Sequence, residues 1–269
     1  MQHYICKTCG IQYEPTEHPP SQCIICEDER QYIGYDGQQW LIPSELRATH
    51  KNILQEEAPN LLGIGVTPKI AIGQRALLVQ SSAGNVLWDC APLLEQSTID
   101  AINELGGLTA IAISHPHFYA NMVTWSKAFD VPIYLHENDQ QWVTEAHDAI
   151  HFWQGDTFTL NDDMTLIRCA GHFEGGQVLH WQSGADNKGA LLTGDILFVT
   201  QDRRYVSFMY SFPNYIPLSS NKIKHIMNVL EPYDYDRIYS AWFGSVSTTN
   251  AKANVAYSAQ RYLNAITDQ

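Results

Sequence analysis

Three short apolar runs in this chain each stop on a metal-liganding side chain. Leu108-Thr109-Ala110-Ile111-Ala112-Ile113 runs into Ser114-His115-Pro116-His117. Met164-Thr165-Leu166-Ile167-Arg168-Cys169-Ala170 runs into Gly171-His172, and Ala190-Leu191-Leu192-Thr193-Gly194 into Asp195. A brief apolar run bounded by Gly, Pro or Ser reads as a buried strand. A polar group just past such a strand is aimed by a rigid sheet, which is how a site is built from distant parts of a chain. Neutral imidazoles with one carboxylate suit zinc or ferrous iron. The pattern therefore predicts a fold in which strand ends converge.

Composition narrows the function. Of 269 residues, 45% are hydrophobic, enough to enclose one sizeable domain with a small appendage. No segment approaches the ~20 apolar residues of a membrane helix, and Met1 to Cys6 lack the charged and apolar regions of a secretory signal. The expectation is a cytoplasmic protein without a membrane partner. A net charge of −13 repels phosphate backbones, so nucleic acid is excluded as a partner. A small molecule is the expected substrate, and a homodimer stays open.

Four of the six cysteines form two close pairs, Cys6/Cys9 and Cys23/Cys26, with thirteen residues between the pairs. Each Cys-x-x-Cys turn brings two thiolates to one side of a loop, and two turns complete a tetrahedral four-sulfur shell. So short a segment buries little apolar area, and a bound ion would supply its folding energy. Such a closed shell is structural or a docking surface rather than hydrolytic. Zinc is the expected ion. The spacing also resembles the knuckles of rubredoxin and rubrerythrin, which hold iron, so iron stays open. The expected domains are a four-cysteine zinc ribbon over 1–42 and a body over 43–269. Cys90 and Cys169 are expected to be buried thiols.

In the body, residues 31–43 read as a strand pair and 44–52 as a short helix capped by Ser44. The runs 61–66, 69–73, 75–81 and 85–90 read as an antiparallel meander. Helices are expected over 97–107, 119–129, 137–146, 219–230 and 250–266, and strands over 108–114, 131–136, 164–170, 176–181, 190–195 and 237–242. That makes an α/β (α+β) chain with strand meanders and helices in both halves.

The order of these motifs resembles the metallo-β-lactamase-fold superfamily. Asp89 in "GNVLWDC" comes first, then "SHPHFY", "GHFEGG", "LLTGD" and a C-terminal strand, over roughly 60 to 265. The signatures "SHPHFY", "GHFEGG" and "FPNYIP" look most like an uncharacterised branch of it. The resemblance implies a four-layered αβ/βα sandwich with a metal cleft at one sheet edge. It assigns His115, His117 and His172 to a first metal site, with Asp195 as further ligand or as base. The second site of the family pattern is missing. Tyr119 stands for its aspartate, while Ala120 and Phe243 stand for its histidines.

Three imidazoles with an open fourth position are the ligand set of a catalytic zinc. The leading expectation is a mononuclear metal-dependent hydrolase. A metal-activated water would act on a small ester, thioester or amide, with Asp195 as base and Tyr119 as hydrogen-bond donor. One alternative is a mononuclear iron oxidoreductase resembling persulfide dioxygenases, using His115, His172 and Asp195. Another is a non-catalytic binding protein with a degenerate site.

Overall fold

The computed structural model describes residues 1–267, which fall into two compact units. The first comprises Met1–Leu135 and Gln140–Phe152, the second His136–Asp139 and the described residues from Trp153 onward. Among the described residues, no helix is long and apolar enough to cross a membrane.

The first unit opens with a two-stranded sheet of β1 (Ile5–Cys6) and β2 (Trp40–Leu41), followed by helix α1 (Pro43–Thr49). Its main sheet comprises β3 (Lys51–Ala58), β4 (Leu61–Thr67), β5 (Ala76–Val79), β6 (Val86–Trp88), β7 (Ala110–Ala112), β8 (Ile133–His136) and β9 (Ile150–Trp153), in that spatial order. The pairs from β3 to β6 are antiparallel. From β6 to β8 the strands run parallel. The reversal follows from the connections. Parallel neighbours need a crossover, and α2 (Gln96–Glu104) and α3 (Met122–Phe129) supply two of them. Strands β5, β6 and β7 are buried throughout and read as near-continuous apolar runs, as central strands should.

The second unit is built on the sheet β10 (Thr157–Asn161), β11 (Met164–Arg168), β12 (Gln177–Trp181), β13 (Ala190–Gly194), β18 (Arg237–Ser240) and β19 (Val246–Ser247). Only β13 and β18 pair in parallel. Between them lie two small ribbons, Phe198–Val199 with Val206–Ser207 and Met209–Ser211 with Ile216–Pro217 (β14 to β17 in chain order), and helix α4 (Ser220–Leu230). Helix α5 (Ala251–Ile266) follows β19. Ile167, Val178, Leu191 and Ile238 of this sheet join Ile223, Ile226 and Leu230 of α4 and Val255 and Ala259 of α5 in one buried cluster. Helical spacing puts those residues on single faces of α4 and α5.

Several expectations need correction. Residues 31–39 form turns around Gly34 and Gly37, and only Trp40–Leu41 is extended, pairing with Ile5–Cys6 rather than with a neighbour. Helix α1 is capped at Ile42, with Pro43 in its first turn and the Glu45 carboxylate accepting the Ile42 N–H at 3.3 Å; Ser44 lies inside the helix. Residues 69–73 are no strand. Ala71 (φ 53°) and Gly73 (φ 73°) turn the chain, and Ile70 instead packs with Ile5, Leu46 and Leu93. Residues 137–146 give only a 3-10 turn, Glu137–Trp142, because Asp139 points inward to take the Gly175 N–H at 2.8 Å. The segment 119–129 follows a 3-10 turn, Pro116–Phe118, which Tyr119 caps, and it is α-helical only from Met122. Strands β3, β9 and β10 were not foreseen. Their side chains are mostly exposed or half-buried.

Candidate metal centres

The four knuckle cysteines come together. Cys6, Cys9, Cys23 and Cys26 are buried, with one sulfur from each within 4.8 Å of the others. Cys6 and Cys26 sulfurs are 3.6 Å apart, as are those of Cys9 and Cys23. A tetrahedral ion with ~2.3 Å metal–sulfur bonds sets its sulfurs about 3.8 Å apart, so the spacing fits a closed thiolate site. Burial pushes the Cys9 thiol up, whereas hydrogen bonds from neighbouring thiols, Cys23 first, hold Cys6 down. The four sulfurs cannot all ionise side by side without a cation, and a divalent ion supplies that charge. The Gln38 amide donates to the Cys6 sulfur at 3.2 Å. Gly10, at φ 81°, turns the chain just after the first pair, and its N–H closes onto the Cys6 carbonyl at 2.8 Å. A Cβ there would lie 3.1 Å from both Ala71 and Pro92 Cβ atoms, so a side chain would be doubly disfavoured.

In the first unit, β7 delivers His115 and His117. Both rings are buried, with centroids 5.1 Å apart. His115 is extended at φ −173°, and Pro116 starts the turn that brings His117 back beside it. Behind them sits Asp89, fully buried at φ 60°. Its carboxylate accepts the Ser114 N–H at 2.7 Å, and the Ser114 hydroxyl lies 3.1 Å from His115 Nδ1. That contact leaves Nε2 as the outward donor of His115. Tyr119 closes the same turn and is buried.

Burial pushes the Asp89 carboxyl up to about 7, against the pull of the Ser114 N–H. An unfolded aspartate titrates near ~3.9, so the folded chain carries no penalty from this group below that pH. Stability then falls as pH rises towards 7, by on the order of 4 kcal/mol. Asp89→Asn keeps the acceptor for Ser114 and tolerates the left-handed backbone. Its thermal midpoint should lose this decline between about pH 4 and 7. Parallel midpoint curves for parent and variant would refute the buried-charge account.

In the second unit, the loop after β11 presents His172. Ala170 (φ 53°) and Gly171 (φ 87°) turn the chain, and the N–H groups of Cys169 and Ala170 both reach the Gly176 carbonyl at 2.8 Å. His172 Nδ1 lies 3.1 Å from the Met209 carbonyl. A carbonyl only accepts, so Nδ1 carries the proton and Nε2 presents its lone pair. Asp195 follows β13, and its carboxylate is 3.8 Å from that Nε2. Ser240 fixes the strand end by donating to the Gly194 carbonyl at 2.7 Å. Phe243 lies in the turn after β18, just before Gly244. His136 and His180 are buried against the carbonyls of Gly155 and Asp234, and serve the core.

Sequence reading missed the supports of these donors. Asp139, a buried carboxylate, holds the His172 loop through Gly175, where an added Cβ would come within 2.7 Å of the Asp139 carboxyl carbon. The adjacent Gly175-Gly176 pair was the available signal. Nothing local in sequence marks Met209, whose backbone does the work.

No family model matches the chain. It is 49% identical over 271 residues to the uncharacterized protein YmaE of Bacillus subtilis (strain 168), covering 100% of this chain and 98% of the relative. Among solved structures it resembles VMB-1, with a TM-score of 0.59 and 16% identity over 81% of this chain and 99% of that one. The DIM-1 metallo-beta-lactamase matches with a TM-score of 0.58 and 13% identity, over 78% of this chain and 98% of the other. The Rm3 metallo-beta-lactamase gives 0.50 and 17%, over 82% and 94%. At such identities the likeness is one of fold.

Proposed function

The chain belongs to the family of Bacillus subtilis YmaE and has the metallo-β-lactamase fold, and on that premise we propose that it is a hydrolase dependent on a single metal ion held by His115, His117, His172 and Asp195. One observation carries the reading: each unit presents two buried donors at its strand ends, His115 and His117 after β7 in the first, and His172 and Asp195, 3.8 Å apart, after β11 and β13 in the second. Imidazole and carboxylate donors in this ratio suit zinc, and a ferrous ion as well. When bound, such an ion polarises a carbonyl and makes water acidic near neutral pH.

The chain's own residues divide the remaining work. The Met209 carbonyl and the Ser114 hydroxyl keep His172 and His115 turned with Nε2 forward. Asp195 supplies a carboxylate beside His172 that can take a proton. Tyr119 is a phenol, protonated at neutral pH, so it can donate a hydrogen bond to a developing oxyanion but cannot act as base. The positions at which the family resemblance places a second site hold Tyr119, Ala120 and Phe243, which supports one ion rather than a pair.

The proposed substrates are small acyl compounds, whether ester, thioester or amide. Support comes from the fold neighbours named as metallo-beta-lactamases. Zinc-loaded protein incubated with one chromogenic substrate of each class should turn over at least one of them, with the rate lost on dialysis against chelator. An ion present at the histidines with no turnover of any class would overturn the hydrolase reading. Persulfide oxidation by the iron-loaded protein would then replace it.

A further inference from the structure

We propose that the cysteine knuckle positions the loop that carries His117, and that Gln12 is the positioning residue through which it acts. Only the consequence for metal binding rests on the reading above; the contacts themselves lie within the first unit.

Gln12 belongs to the knuckle. It sits just past Ile11, whose carbonyl takes the Cys6 N–H at 2.9 Å, and it bridges to Ile5 across that short hairpin. Yet its hydrogen-bonding groups are spent on the body. Its N–H donates to the Ala120 carbonyl at 2.9 Å. Its carbonyl accepts the Thr144 hydroxyl at 2.7 Å. Its side-chain amide donates to the Thr124 hydroxyl and to the Glu145 carboxylate, each at 3.1 Å. The residue is buried and its bond to Glu145 is made away from water, where an unmade one is costly.

What these bonds hold is the end of the histidine turn. Ala120 lies three residues beyond His117 and is left-handed, at φ 42°. An alanine keeps that conformation only where neighbours over-determine it. Gln12 holds the Ala120 carbonyl, and through the Thr124 hydroxyl it also holds α3, which follows. A second tie, from the Gln74 amide to the Cys9 carbonyl at 3.3 Å, fixes the knuckle to the same unit. The thiolate site sets the path of residues 6 to 11, residue 12 follows, and Ala120 follows residue 12. Filling the cysteine site therefore tightens the loop that presents His117.

The test uses the full-length, cobalt-loaded protein. Thiolate-bound cobalt is read by its charge-transfer absorption, and histidine-bound cobalt by its weaker visible bands. Gln12→Glu sets two carboxylates face to face with Glu145. It should speed amide hydrogen exchange over residues 118–125 about tenfold and weaken cobalt binding at the histidines about tenfold, with the thiolate absorption intact. The swap Gln12→Glu with Glu145→Gln restores an amide–carboxylate bond with donor and acceptor exchanged, and should rescue both readings. Thr144→Val, which touches only the body's side of the contact, should loosen the same amides. Unchanged exchange in Gln12→Glu, or a swap that fails to rescue, overturns the proposal. Should the parent take up no cobalt at its histidines, the metal reading falls, and the exchange arm still decides this one.

Discussion

On the proposed function, His117→Ala should lower turnover by about 10³-fold or more, because the ion it would help to hold is what would bring water from a pKa of ~15.7 towards ~7. His117 is buried beside His115 with ring centroids 5.1 Å apart, so removing it takes away one of the proposed donors. His172→Ala should cause a loss of the same size if both imidazoles serve one ion, and the two losses together should not add. His136→Ala is the control. That ring is buried too, but bonds the Gly155 carbonyl and belongs to neither group of metal donors. It should lower stability and spare turnover per folded molecule. Metal content by elemental analysis completes the comparison. A His117→Ala protein with full metal content and parental turnover would remove His117 from the chemistry.

Cys23→Ser should be the most destabilising single change in the chain. Ile5 of the knuckle shares only a small apolar cluster with Leu46, Ile70 and Leu93. That area cannot fold the segment alone, whereas a structural four-sulfur ion contributes on the order of 10 kcal/mol. The variant should lose one equivalent of metal, and calorimetry should show the thermal midpoint falling by about 10 °C or more. Cys90→Ser and Cys169→Ser remove equally buried thiols that lie outside the cluster, and their metal content should match the parent's. A Cys23→Ser protein that keeps its metal and its midpoint would show that the cysteines are not a closed site.

The knuckle and the histidine motifs were legible in the sequence because their donors are close neighbours in the chain. Cys-x-x-Cys and His-x-His each place two candidate donors within one turn, and β7 and β13 lead into His115 and Asp195. The fold was legible for the same reason, since motif order follows strand order. What was hidden depends on contacts far apart in sequence. Strand β3 is polar and lies at the sheet edge, so burial leaves no mark on it. The apolar residues 69–73 look like a strand, but Ile70 serves the patch under the knuckle. Gln12, Asp139 and Met209 act across gaps of 133, 36 and 37 residues, and no local pattern announces them.

An anomalous-scattering map of crystals of the purified protein, recorded on either side of the zinc and iron edges, would weigh the central claim most directly. It should show one ion on the sulfurs of Cys6, Cys9, Cys23 and Cys26. A second should sit between the Nε2 atoms of His115, His117 and His172, with no companion ~3.5–4 Å away. Imidazoles turned away from one another, or two ions side by side at the histidines, would contradict it.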